Sequence, residues 1–132
     1  MEWVKVLGGT GAQLTIDDTN GLLDGLTIKN CFFDGESAAI SAIKATNGYF
    51  SGDIHIEGTT FKNHHATDYA VIFGKPTRSN EWAGQGKIKT LKFLTNTATT
   101  PKGSFEFRGH ATERMTSAKV NGNILTSWHA DT

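Results

Sequence analysis

Apolar and polar residues alternate in short runs along this chain, and one such run returns. Gly25-Leu26-Thr27-Ile28-Lys29-Asn30-Cys31-Phe32-Phe33 is echoed by Asp53-Ile54-His55-Ile56-Glu57-Gly58-Thr59-Thr60-Phe61. In both, two apolar residues flank a polar one, and an aromatic stands five positions after the second. Weaker copies run from Leu91-Lys92-Phe93 to Ala98 and from Ala118-Lys119-Val120 to Leu125. The anchors Ile28, Ile56, Phe93 and Val120 are spaced by 28, 37 and 27 residues. A repeat of this length marks stacked structural units.

Each apolar run is bounded by Gly, Asn or Asp, the pattern of short strands between turns. Trp3-Val4-Lys5-Val6-Leu7 alternates and ends at Gly8-Gly9, so residues 1–13 read as a cap. Leu14-Thr15-Ile16 then leads into the turn-forming Asp17-Asp18-Thr19-Asn20-Gly21. The first full rung begins at Leu26 and continues through Phe33, residues 39–43 and Tyr49-Phe50. The second begins at Ile54, passes Phe61 and returns through residues 69–73. The third begins at Ile88 or Leu91 and returns through residues 104–107. The fourth begins at Ala118 and ends with Ile124, Leu125 and Trp128, so the rungs occupy residues 14–128. Ala39, Ile40, Ala42 and Ile43 fit a helical turn as well as a buried strand; Gly35 and Asn47-Gly48 on either side favour strand.

Stacking places Ile28, Ile56, Phe93 and Val120 in one inward column and Leu26, Ile54, Leu91 and Ala118 in another. One rung cannot bury its apolar face alone, so its neighbours supply the core. Asn30 and Asn96 fall at turns just after the inward pairs. Asparagine tolerates the left-handed conformation there and can bond to its own copies along a stack.

The run Gly25 to Gly35, followed by Ile54 to Phe61, resembles the rung signature of right-handed parallel β-helix proteins. That is the pectin-lyase-like superfamily, which includes many bacteriophage tailspikes. The resemblance implies a single all-β domain over residues 1–132: a right-handed parallel β-helix, or solenoid, of about four short rungs behind an N-terminal cap strand. Function does not follow from it, because the fold hosts lyases, hydrolases, adhesins and virion parts. The virion proteins among its members are commonly trimers. Side-by-side packing of that kind would cover surface that a thin coil leaves open.

Composition narrows the picture further. Fifteen glycines and two prolines, with few helix-type patterns, describe a chain of strands and turns. The 13 basic and 13 acidic side chains cancel, so no broad positive field is available for nucleic acid or an anionic membrane. No apolar run approaches the roughly 18 residues that span a bilayer, and Met1 to Thr10 lacks the plan of a secretion signal. Cys31 is the sole cysteine, which excludes an internal disulfide or a cysteine-based metal cluster. It is expected to pack inertly within a strand.

Candidate chemistry is sparse. Glycoside hydrolysis needs two carboxylates roughly 5 to 9.5 Å apart. Asp53 and Glu57 on one strand would stand about 13 Å apart, and Glu57 is better placed to pair with Lys29 on the rung before. Asp17, Asp18 and Asp24 lie in a turn where calcium is conceivable but turn bonding suffices. His64-His65 with Asp68 offers ligand-type side chains, but adjacent residues of an extended chain face opposite sides, so a tetrahedral set is not expected. The outer column Thr27, His55, Lys92, Lys119 does not match the acidic calcium face of a pectate-type lyase. Its basic trio His55, Lys92 and Lys119 is a candidate contact for an acidic sugar.

The second rung exceeds its neighbours by about nine residues, an inserted loop at residues 74–87. Insertions in coil repeats emerge as loops, often on the binding face. Arg78, Asn80, Glu81 and Trp82 within it are candidate partner or glycan contacts, since Trp and Arg concentrate at binding hot spots. The terminal Trp3 and Trp128 are candidate caps or contacts.

The expected function is therefore that of a bacteriophage virion structural protein: a homotrimeric fibre, spike segment or capsid or tail decoration. Its partners would be other virion proteins and a host-surface polysaccharide, with no nucleic acid, membrane, metal or cofactor. Such a protein is made in the host cytoplasm, needs no signal peptide and ends on the virion surface. The alternatives are a polysaccharide-active lyase or hydrolase and a non-catalytic glycan-binding module.

Overall fold

The computed structural model describes residues 1–18, 25–48, 51–64, 70–73, 87–99, 105–107 and 115–125. Thirteen strands lie among them. In chain order they are β1 (Lys5–Leu7), β2 (Ala12–Asp18), β3 (Gly25–Lys29), β4 (Phe32–Asp34), β5 (Ser41–Gly48), β6 (Ser51–Glu57) and β7 (Thr60–Lys62). There follow β8 (Val71–Phe73), β9 (Lys87–Leu94), β10 (Thr97–Thr99), β11 (Phe105–Phe107), β12 (Ser117–Asn121) and β13 (Ile124–Leu125). No helix occurs among the described residues.

The strands are dealt in strict rotation to three sheets, ordered β1-β4-β7-β10-β13, β11-β8-β5-β2 and β12-β9-β6-β3. Every pairing is parallel. One passage through the three sheets is a tier, and each residue lies beside its counterpart one tier away. The protein is thus all-β, built from parallel strands.

The register follows the repeat. Ile28 pairs with Ile56, Ile56 with Phe93 and Phe93 with Val120. Leu26, Ile54, Leu91 and Ala118 run beside them in the same way. Ile28, Ile54, Ile56 and Phe93 are fully buried. Rings also stack across tiers: Phe33 on Phe61 with centroids 5.4 Å apart, Phe61 on Phe93 at 6.4 Å and Phe73 on Phe107 at 5.5 Å. Column ends differ from column middles, because β12 is a sheet edge whose whole length is exposed.

Between the β12-β9-β6-β3 sheet and the β1-β4-β7-β10-β13 sheet lies a tight corner, two residues long, that recurs at the same point of each tier. Two residues after each anchor the backbone is left-handed, with φ of 51° at Asn30, 58° at Gly58, 52° at Thr95 and 66° at Gly122. Trp3, beside the Glu2–Lys29 bridge, joins this column with φ of 57°. Asn30 therefore does take the left-handed turn expected of it. Asn96, however, belongs to the next column over, with Cys31, Thr59 and Asn123. The two asparagines never meet because their repeat positions differ by one.

That second column is a ladder of side chain to backbone bonds. The Asn96 Oδ1 accepts the Thr59 N–H at 3.0 Å, and its Nδ2 donates to the Ile56 carbonyl at 3.0 Å. Asn123 repeats the geometry one tier on, accepting the Asn96 N–H at 2.8 Å and donating to the Phe93 carbonyl at 2.8 Å. The Thr59 hydroxyl accepts the Cys31 N–H at 3.3 Å. Buried backbone groups at a corner need such partners, and these side chains bind adjacent tiers.

Several expectations shift. Cys31 is buried as expected, but in the corner between β3 and β4 rather than inside a strand. Asp17 and Asp18 belong to the end of β2, where pairing with Asn47 and Gly48 of β5 resumes after a register shift. Residues 36–38 form a turn with φ of 48° at Glu36 and 62° at Ser37, so the strand foreseen from residue 39 starts at Ser41. Trp3 is 77% exposed and so covers little of the core. Trp128, Tyr49, Phe50 and Asp24 lie outside the described residues.

Candidate functional site

The sheet β12-β9-β6-β3 turns one set of side chains outward. Thr27, His55, Lys92 and Lys119 line up in register, flanked by Lys29, Glu57, Leu94 and Asn121. Alternation along each strand decides this: the residues on either side of a buried anchor must face the other way. The outward column is the one the repeat implied.

His55 Nε2 lies 2.8 Å from Glu57 Oε2, and the same oxygen lies 3.7 Å from Lys29 Nζ. The Lys29–Glu57 pair follows from the repeat. The His55–Glu57 contact does not, because it needs the two side chains to lean together along one strand. Asp53, the other acid of β6, accepts the Thr90 hydroxyl at 2.6 Å. Both carboxylates are thus engaged, and they flank one imidazole on a single strand. Lys92 and Lys119 are exposed on successive tiers and have no ion-pair partner among the described residues. Strands stand about 4.8 Å apart, so this column offers regularly spaced positive charge with an oriented imidazole at one end. Such a face can hold an anionic group. It does not present two free carboxylates for glycoside cleavage.

A second polar cluster is internal. The Gln13 amide nitrogen donates both hydrogens, to the Gly8 and Asp34 carbonyls, each at 2.9 Å. Its Oε1 lies 2.9 Å from His64 Nε2. An amide oxygen only accepts, so His64 carries its proton on Nε2. Nδ1 is then a bare acceptor, buried and without a partner among the described residues. Burial pushes the His64 imidazole down to about 4, opposed by the nearby Asp34 charge. Asp34 accepts the Glu36 N–H and the Asn63 amide, each at 2.9 Å, and lies 3.6 Å from Lys62 Nζ. The Glu36 bond foremost, then the Asn63 bond, hold its carboxyl below the usual range. This cluster braces the corner between β4 and β5.

No group of three or more metal-ligand side chains occurs among the described residues. His65, Asp68 and the loop residues Arg78, Asn80, Glu81 and Trp82 lie outside them. Gln13, Thr59 and Asn123 escaped sequence reasoning. The last two were signalled, since Thr59, Asn96 and Asn123 all stand three residues after an anchor. No protein-family model, no curated protein and no solved structure matches the chain.

Proposed function

We propose that this chain is a bacteriophage virion structural protein. In this reading it is a right-handed parallel β-helix of the pectin-lyase-like type, serving as a homotrimeric fibre, spike segment or capsid or tail decoration. The observation that supports it best is the unbroken rotation of strands through three sheets, tied at the corners by the left-handed column and the Thr59–Asn96–Asn123 ladder. Sequence information is spent on repeating the same interactions from tier to tier, which suits a stiff strut. The outward His55, Lys92 and Lys119 column supplies adhesion to an acidic host-surface polysaccharide.

Two measurements test the proposal. Light scattering should give a mass of three times 14.3 kDa that holds on dilution. Binding to a panel of acidic and neutral polysaccharides should favour the acidic ones and weaken in Lys92→Ala and Lys119→Ala. Reducing-sugar release or 235-nm absorbance from any of them, abolished by His55→Ala, would instead establish a polysaccharide-active enzyme.

A further inference from the structure

Two columns of backbone hydrogen bonds run through the described tiers and, among the described residues, stop at the first and last of them. In the first, each left-handed residue donates its N–H to the next tier: Trp3 to the Lys29 carbonyl at 3.2 Å, Asn30 to Glu57 at 2.9 Å, Gly58 to Leu94 at 3.0 Å and Thr95 to Asn121 at 2.9 Å. The next donor is Gly122. In the second, each tier donates back to the one before: Phe32 to the Val4 carbonyl, Thr60 to Cys31, Thr97 to Thr59 and Ile124 to Asn96, all at 2.9 Å. The next acceptor is the Asn123 carbonyl. Neither the Gly122 N–H nor the Asn123 carbonyl has a partner among the described residues.

The opposite end offers the complementary pair. Met1 and Trp3 turn their bonding groups toward β3, through the Met1 carbonyl and the Trp3 N–H, so the Glu2 carbonyl between them faces outward. Val4 bonds to Phe32 through its carbonyl, so the Lys5 N–H likewise faces away.

We infer that the C-terminal edge of one copy docks on the N-terminal edge of a second copy, head to tail, with the tier register continued. Gly122 N–H then donates to the partner copy's Glu2 carbonyl, and the partner copy's Lys5 N–H donates to the Asn123 carbonyl. Side chains agree with this register. Val120 meets Met1, and Leu125 extends the Val6, Phe33, Phe61, Ala98 column onto a second Val6. Trp3 follows Gly122 in the left-handed column, as Thr95 follows Gly58, so a bulky residue again meets a corner without a side chain. Apart from Ile40, the exposed large apolar residues among those described also fall at the two ends, with Trp3 77% and Leu7 51% exposed at one, Val120 44% and Ile124 69% at the other. A second copy fits because this chain alone carries both halves of the register. The contact is heterologous and adds each copy along the direction of the stack, so it propagates rather than closing into a ring.

The same register sets Ile124 directly beside the partner copy's Lys5, and that pairing supplies the test on the full chain. Sedimentation and light scattering should show the trimer mass at the dilute limit and a mass that climbs from it, with no fixed upper value, as concentration rises. Ile124→Lys sets two lysines side by side and should raise the concentration for half-assembly about tenfold. Lys5→Glu with Ile124→Lys restores opposite charges and should recover assembly. Both sites are exposed, and unchanged circular dichroism and melting confirm the fold. A mass fixed at one copy, or fixed at three at every concentration, overturns the inference. So does assembly indifferent to Ile124→Lys, or one the double variant fails to recover. A closed trimer of that indifferent kind would leave the proposed function standing and remove only the end-to-end contact.

Discussion

His64 and Gln13 lie 51 residues apart, yet His64 Nε2 sits 2.9 Å from the Gln13 side-chain oxygen and fixes the imidazole as a neutral donor. The residue is 1% exposed, and its other nitrogen has no partner among the described residues. Protonation would place a second hydrogen where nothing accepts it.

Stability should therefore fall with acid over a defined window. The folded-state value of about 4 lies below the ordinary 6.5, so the unfolded chain takes up the proton first. The stabilisation is complete above pH 6.5 and declines as pH falls toward 4. The full decline is about 3 kcal/mol. Urea unfolding across that range should show the slope, and His64→Gln, which keeps a donor but does not titrate, should flatten it. Asp34, whose charge opposes the His64 shift, has a lowered value of its own that places its loss below 3.8.

Asn96 is fully buried, with both ends of its amide bonded to backbone. Asn96→Leu strands the Thr59 N–H and the Ile56 carbonyl and should cost about 2 to 4 kcal/mol. Asn123→Ala, made at the less buried end of the ladder, should cost about 1 kcal/mol. Denaturant midpoints that rank the two in reverse would refute the ladder as a source of stability.

Gly58 has φ of 58°, and a Cβ there would stand 2.5 Å from Asn30 Oδ1. Gly58→Ala should cost about 1 to 2 kcal/mol from the left-handed backbone and the collision together. Asn30→Gly removes the collision but not the backbone strain. A double-mutant cycle should therefore show the second change relieving part of the first; strict additivity would mean the corner yields freely.

Ile56→Ala opens a cavity in the middle of a column and should cost about 2 to 5 kcal/mol. Lys29→Ala removes a surface ion pair at 3.7 Å and should cost under about 1 kcal/mol. Equal losses in thermal unfolding would contradict the assignment of inward and outward faces.

The repeat made much of the fold legible. Ile28, Ile56, Phe93 and Val120 fall in register as their spacing implies, and so does the outward Thr27, His55, Lys92, Lys119 column. The rule behind this is short-range: side chains alternate along a strand, and equivalent strands pair in parallel. The Lys29–Glu57 contact follows from the same rule. Asn30 and Asn96 resisted it, because a shift of one residue moves a side chain from a strained corner to a buried ladder. Asp17 and Asp18 read as turn residues, but the parallel partner β5 continues to Gly48, opposite Asp18, and holds them in strand.

The sequence by itself determined the strand-and-turn alphabet, the repeat, the inward columns and the sign of the outer face, since each depends on periodicity and local backbone preference. Beyond the Lys29–Glu57 pair, only the tertiary structure decided which polar groups meet. Gln13 finds His64, Asn96 finds Thr59 and Ile56, and Asp34 finds Asn63, because stacking brings residues tens of positions apart within hydrogen-bond reach. Those partnerships are set by geometry across tiers, and for Gln13–His64 and the Asn96 bonds a burial requirement, not a local preference, selects the partner.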